Sequence, residues 1–173
     1  MENVAFFRQL VSEAREFFEG TIADVTADEF TWEPGGRAVP IAAHYAHVVV
    51  AQDRGLHRLL LGTSPLAAGE IGAKAGIQEM PPFGQPWDEW AHRSKANLPG
   101  MRAYAAVVYA ASDQYFGDLA DADLRRPVDL SQAGYGTQTA QFVLVNGWIA
   151  NVHMHCGEIS CIKGLRGRQG YPA

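Results

Sequence analysis

The chain has 173 residues, of which 47 % are apolar and 19 % are charged, a composition typical of a soluble globular protein with one full hydrophobic core. The balance of 14 basic against 19 acidic residues gives a formal net charge of −5 without a basic cluster, which disfavours nucleic acid and anionic membranes as partners. No apolar run approaches the roughly 18 residues that span a bilayer, and the N-terminus lacks a secretory pattern.

We therefore expect a single cytoplasmic domain over residues 1–173. The two cysteines, Cys156 and Cys161, are expected to be buried thiols in a reducing compartment. Both are placed by the helical periodicity away from the candidate site described below, which argues against either as a nucleophile.

Apolar residues recur at steps of three and four over residues 3–19, which predicts a first helix. Thr26, followed three positions later by Glu29, forms a capping-box pattern that predicts a single helical turn. A second long helix is predicted over residues 40–61. Residues 62–86 are rich in glycine and proline and read as a long loop, a feature that often covers a site.

A third helix is predicted over residues 88–116, broken or kinked at Pro99–Gly100. A fourth is predicted over residues 139–163, and strand signals are weak. Four long helices joined by long connections indicate an all-α fold, a four-helix bundle.

Two histidines of the fourth helix, His153 and His155, lie two positions apart. At about 100° per residue they project about 160° apart, so they cannot chelate one ion from a regular helix. Asn151 lies one turn before His155 on the same face, and both fall in the predicted core stripe of Leu144, Trp148, Ile159 and Ile162. A polar pair in a core is costly unless it is satisfied. The pair therefore either forms hydrogen bonds within the core or forms half of a site at the bundle axis.

The second helix can supply the other half of such a site. His44 and His47 lie on one flank of its apolar face, and Ala51 and Gly55 continue that flank with almost no side chain. The missing bulk predicts either a small cavity or a close contact between helices beside the histidines.

Four stretches in their order and spacing carry a resemblance to a known family. The chain resembles the DinB-like (YfiT-like) four-helix bundles, which are regarded as metal-dependent enzymes. The last stretch is similar to the fourth-helix signature of that family, H-x-x-x-H-x-G-[EQ]-I. The four stretches are TADEFTWEPGGRAVPIAAHYAH, GLHRLLLG, PPFGQPWDEW and IANVHMHCGEISCIKGLRG.

The resemblance implies that three histidines hold one divalent ion, commonly nickel or zinc. His47 matches the histidine of the second helix, and His155 matches the last histidine of the fourth helix. Asn151 stands at the middle position, where its carbonyl oxygen is a weaker ligand for nickel or zinc than an imidazole. Three arrangements stay open: His44 joins His47 and His155, Asn151 joins them instead, or no metal binds.

Three protein ligands leave open positions on an ion, which can then activate water or a thiol. The resemblance thus implies an enzyme acting on a small molecule, either an S-transferase with a low-molecular-weight thiol as cosubstrate or a hydrolase. Glu158 lies at the edge of the His155 face and could orient that ring or act as the catalytic base. Met80, Phe83 and Trp87 could cover the site as a lid or as a static packed loop.

The alternative function is non-catalytic: a bundle with a degenerate metal site that binds a small ligand or only dimerises. Asn151 favours this alternative, whereas the additional inward-leaning His44 favours the enzyme. The family resemblance also implies a homodimer, for which Phe142 and Ile149 form a candidate contact.

Overall fold

A computed structural model describes residues 3–172 and confirms the predicted all-α four-helix bundle. The four rods are formed by residues 3–22, 41–61, 98–118 and 140–165. Residues 3–172 contain no helix that combines the length and apolar character needed to cross a membrane. In chain order, the helices are α1 (Asn3–Ile22), α2 (Ala27–Phe30), α3 (Ile41–Arg54), α4 (Glu70–Lys74), α5 (Asp88–Arg93), α6 (Leu98–Asp118), α7 (Ala140–Val145) and α8 (Asn151–Leu165).

Two of the rods contain π-helical segments. Gly55–Leu61 continues α3, and Asn146–Ala150 joins α7 to α8, so the predicted second and fourth helices are each continuous. A π-helical turn inserts extra backbone into a helix and is frequent at functional sites. The second segment ends directly before the candidate ligand Asn151, and the first begins two turns after His47.

The predicted third helix is in fact two helices. It stops at Arg93 and resumes at Leu98, because the side chain of Asn97 accepts a hydrogen bond from the backbone N–H of Gly100 and caps a new helix. The helix is therefore broken, as one of the two predicted outcomes, but the break lies at residues 94–97, ahead of Pro99–Gly100. Pro99 lies in the first turn of α6, where its missing N–H removes no helical hydrogen bond.

A short antiparallel hairpin, β1 (Pro127–Asp129) and β2 (Thr137–Thr139), lies between α6 and α7. Val128 pairs with Gln138 at its centre. Strands of three residues carry too little alternation to give a clear sequence signal.

Charged side chains attach the end of α8 to the connection between α1 and α2. The capping box of Thr26 and Glu29 forms as predicted. Lys163 is buried and donates to Asp24 at 2.7 Å, which lowers the pKa of that carboxyl group. Arg168 bridges Asp24 and Glu29. The final rod, which carries His155, is thereby fixed at its far end.

The core confirms the predicted inward stripe of the final rod. Its members Leu144, Trp148, Ile159 and Ile162 are all buried. A Cβ atom on Gly55 would lie only 3.0 Å from the ring of Trp148, so this glycine allows the second and last rods to approach closely. The close helix contact expected beside the histidines is therefore present.

Asp53, at the end of α3, anchors the long connection that follows it. Its carboxylate is fully buried and accepts backbone N–H groups of Leu66 and Ala67 at 2.9 Å each, together with the hydroxyl of Tyr104 at 2.7 Å. All of these bonds join distant parts of the chain. The carboxylate of Asp53 thus holds the start of the loop against the bundle.

Replacing Asp53 by alanine is expected to lower the free energy of unfolding by about 3 kcal/mol, because two partly buried N–H groups and the buried hydroxyl of Tyr104 lose their acceptor. Chemical denaturation measures this loss. Asp113→Ala is the matched control: its carboxylate is exposed and pairs only with Arg15, so a change under about 1 kcal/mol is expected. Equal effects of the two substitutions would contradict the anchoring role.

Candidate metal centre

His44 of α3 and His155 of α8 meet inside the bundle. Their Nδ1 atoms lie 3.0 Å apart, and the two residues are only 4 % and 6 % exposed. Glu158 extends the pair into a cluster, with its Oε2 atom 3.1 Å from Nδ1 of His44 and 2.5 Å from Nδ1 of His155. Because Glu158 follows His155 by three positions, both side chains share one edge of α8.

The three candidate ligand atoms of His44, His155 and Glu158 all lie within 4.8 Å of one another. Ligands placed 2.0–2.2 Å from a tetrahedral zinc ion are separated by about 3.4 Å. Two of the observed separations, 3.0 and 3.1 Å, are close to that value, and the third, 2.5 Å from His155 to Glu158, would have to widen by about 0.9 Å through movement of side chains. The cluster could therefore hold a divalent ion without a large rearrangement of the backbone.

His47 lies one turn along α3, with its ring centre 5.0 Å from that of His155. Its Nδ1 atom is buried and has no hydrogen-bond partner within the described part of the chain. Burial, followed by the nearby rings of His155 and His44, lowers the pKa of His47 to about 4. The His47 ring is therefore neutral near pH 7 and keeps a nitrogen lone pair available.

The charge state of the cluster suits a cation. Burial lowers the pKa of His44, so its ring favours the neutral form that binds metals. Hydrogen bonds from His155 and His44 hold the pKa of Glu158 well below its usual range, which keeps that carboxylate ionised. Neutral imidazole nitrogens combined with one carboxylate are a common ligand set for zinc.

Trp87, directly before α5, covers the histidine rings. Its ring centre lies 4.8 Å from that of His47 and 5.5 Å from those of His44 and His155. Phe83, in the loop before it, lines a neighbouring cavity. The connection thus covers the cluster at Trp87, as the sequence suggested for both a lid and a static packed loop.

Asn151 belongs to the wall of a cavity beside the cluster. It lines a cavity of about 310 Å³ together with His47. The structure thus brings His44, His155 and Glu158 together, places His47 beside them, and puts Asn151 in the wall of the adjoining cavity. The short spacing from His155 to Glu158 is the sequence signal that could have identified this carboxylate as a ligand.

Cys161 lies in a cleft of about 390 Å³ on the other side of the rings, lined also by His44, Trp87 and Glu158. The expectation of a buried thiol remote from the site is therefore wrong for Cys161, which is exposed. Cys161 follows Glu158 by three positions and therefore shares its edge of α8. The angle between Cys161 and His155, taken alone, does not show this proximity to Glu158. Cys156 is buried as expected, and burial raises the pKa of its thiol to about 11.

The pH dependence of stability tests the neutral state of His47. An unfolded histidine takes up a proton near its ordinary pKa of 6.5, whereas folded His47 resists protonation until about pH 4. Stability is therefore lost as the pH falls from 6.5 towards 4. In chelator-treated protein, His47→Gln is expected to reduce this loss by about 1–3 kcal/mol.

Denaturant titrations at several pH values give the measurement. The exposed His92, replaced by glutamine, serves as the control and should keep the pH dependence of the unchanged protein. An unaltered loss of stability in His47→Gln would contradict a buried, neutral His47.

Comparison with known proteins agrees with this architecture. A crystal structure of a conserved protein from Enterococcus faecalis is similar, with a TM-score of 0.77, 20 % sequence identity, and coverage of 95 % of this chain and 97 % of that one. At this identity the likeness shows the fold alone. No curated protein matches the sequence significantly. The family model of the DinB superfamily matches residues 10–159. Because this match spans most of the sequence, the chain belongs to the DinB superfamily.

Proposed function

We propose that this protein is a metal-dependent enzyme that binds one divalent ion through His44, His155 and Glu158 and acts on a small molecule. One observation carries the proposal: a carboxylate and two buried imidazoles from separate helices converge within 4.8 Å. A core histidine pair needs only a mutual hydrogen bond to be satisfied. The added carboxylate, held ionised at the edge of a cleft, is what favours a cation site.

Zinc is the ion that this ligand set favours, since two histidines and one glutamate recur in catalytic zinc sites; nickel is the other candidate. When bound with open positions, such an ion supplies Lewis-acid chemistry and activates water or a thiol at neutral pH. The proposed reactions are accordingly S-transfer from a low-molecular-weight thiol or hydrolysis.

The protein side chains around the cluster support these reactions in distinct ways. His47 presents a neutral ring with an unpartnered nitrogen, which can hold a proton beside the reacting groups. Trp87 shields the rings from water on one side. Glu158 is 50 % exposed at the side chain, so its carboxylate meets both the buried rings and the outer cleft.

Asn151 is the observation that favours the second candidate, a non-catalytic bundle with a degenerate site. It stands where the resemblance implies a histidine. In that case the bundle would bind a small ligand without turnover, and the three-residue cluster would be a hydrogen-bonded core group.

A homodimer is proposed through an apolar face of α1 and the final rod. Phe6 is 52 % exposed there and Val145 is 36 % exposed, and both line a shallow depression together with Ile149. Of the two contact residues expected from sequence, Ile149 lies in this face. Phe142 instead packs against Tyr135, with ring centres 5.7 Å apart.

Metal analysis tests the proposed function. Protein purified without a polyhistidine tag is expected to contain close to one divalent ion per chain by elemental analysis. His155→Ala should lower the affinity for zinc by at least about a hundredfold, since even residues that only support a ligand often contribute ten- to a hundredfold. His153→Ala is the matched control, because this neighbouring histidine is exposed and lies near Phe17, away from the cluster.

Equal zinc affinities for the unchanged protein, His155→Ala and His153→Ala would contradict the metal site. So would the absence of bound ion after incubation with excess zinc or nickel. Circular dichroism of each variant separates the loss of a ligand from the loss of the fold.

A further inference from the structure

The cavity beside His47 has a composition distinct from the charged cleft on the other side of the rings. Its volume is about 310 Å³, near the lower limit for small-molecule sites. Among the described residues that line it, none is Asp, Glu, Lys or Arg. Aromatic and long apolar side chains form most of its wall: Leu59, Phe83, Tyr135, Phe142, Trp148 and Met154.

Small residues of the second rod create this space. Ala51 lines the cavity on that side, where a longer side chain would project into it, and Gly55 lets the Trp148 ring close against α3 to form part of the wall. The π-helical segment before α8 contributes Asn146 and Gly147 to the opposite wall. These features of α3 and the final rod shape a cavity that stays open to solvent along the exposed side chains of Tyr135 and Met154.

Polar groups in the cavity wall are few and uncharged. The amide of Asn146 already donates to the carbonyl of Phe142 at 2.8 Å. The partly buried Asn151 shares the wall with His47, whose Nδ1 atom is buried without a hydrogen-bond partner among the described residues. An amide both donates and accepts, so Asn151 can bind a carbonyl or an amide group of a ligand.

We infer that this cavity binds an uncharged small molecule with an aromatic or similarly flat apolar body, whose carbonyl or amide group hydrogen-bonds Asn151. In metal-free protein a charged ligand would give up hydration without finding a countercharge in the cavity wall, whereas a neutral one loses little. Asn151 then determines specificity and is not a metal ligand. Binding in the cavity is independent of the proposed function. Only the further step, that the bound molecule is the substrate, rests on that function, because the cavity lies beside the metal cluster.

Three probes of equal shape test the charge preference: benzamide, benzoate and benzamidine. Chemical-shift changes of the cavity residues in NMR spectra give the affinities, on the full chain as purified and after chelator treatment. In the chelator-treated protein, benzamide is expected to bind at least about tenfold more tightly than either charged isostere. Equal affinities of the three probes, or no binding of benzamide, would overturn the inference.

Variants locate the site and the contact. Ala51→Met should fill the cavity and weaken benzamide at least about tenfold, whereas Ala111→Met, in a separate cavity of about 490 Å³, should not. Asn151→Leu should weaken benzamide but not toluene, which lacks the amide. Benzamide binding that is unaffected by Ala51→Met would place the ligand elsewhere and contradict the proposal.

The chelator-treated sample keeps this test separate from the test of the proposed function. Binding of benzamide to metal-free protein supports the cavity assignment whatever the elemental analysis of the purified protein shows. Failure of benzamide to bind while zinc is retained overturns the cavity assignment alone.

Discussion

The approach of His44 to His155 is the interaction on which the site depends. Two rings from rods distant in sequence are buried with nitrogens 3.0 Å apart, an arrangement that two imidazolium ions could not adopt without strong repulsion. Burial favours the neutral form of His44, and the ionised carboxylate of Glu158 accepts from both rings. In the metal-free state the cluster is thus hydrogen-bonded. A divalent ion would bind after each ring moves its proton from Nδ1 to Nε2, which frees the Nδ1 lone pair.

The surrounding packing fixes that approach. Gly55 lets the ring of Trp148 close against α3, and the buried Asp53 ties the following loop to the bundle. That loop leads to Trp87, which lies over the rings. At the far end, Lys163 secures α8 to the α1–α2 connection. Each contact limits rotation or sliding of the rods, so the cluster is positioned by the scaffold and not by its own weak bonds.

The periodicity of apolar residues was sufficient to predict the four rods and the inward direction of the His155 side chain, because one face of each rod must be buried. It could not show that α6 begins at a new cap, since the Asn97 side chain competes locally with continued helix. It also could not set the rotation of α3, on which the choice between His44 and His47 depends. The spacing of three places Glu158 and Cys161 on one edge of α8, but the cleft that this edge forms with His44 and Trp87 depends on how the rods pack, which a wheel of one helix does not contain.

The ligand set itself is tested most directly by calorimetric titration of zinc into two matched truncations, Glu158→Ala and Asn151→Ala. If His44, His155 and Glu158 hold the ion, we expect Glu158→Ala to lose at least about tenfold in affinity and Asn151→Ala to remain near the unchanged protein. The reverse order, with Asn151→Ala weakened and Glu158→Ala unaffected, would contradict the carboxylate-centred site.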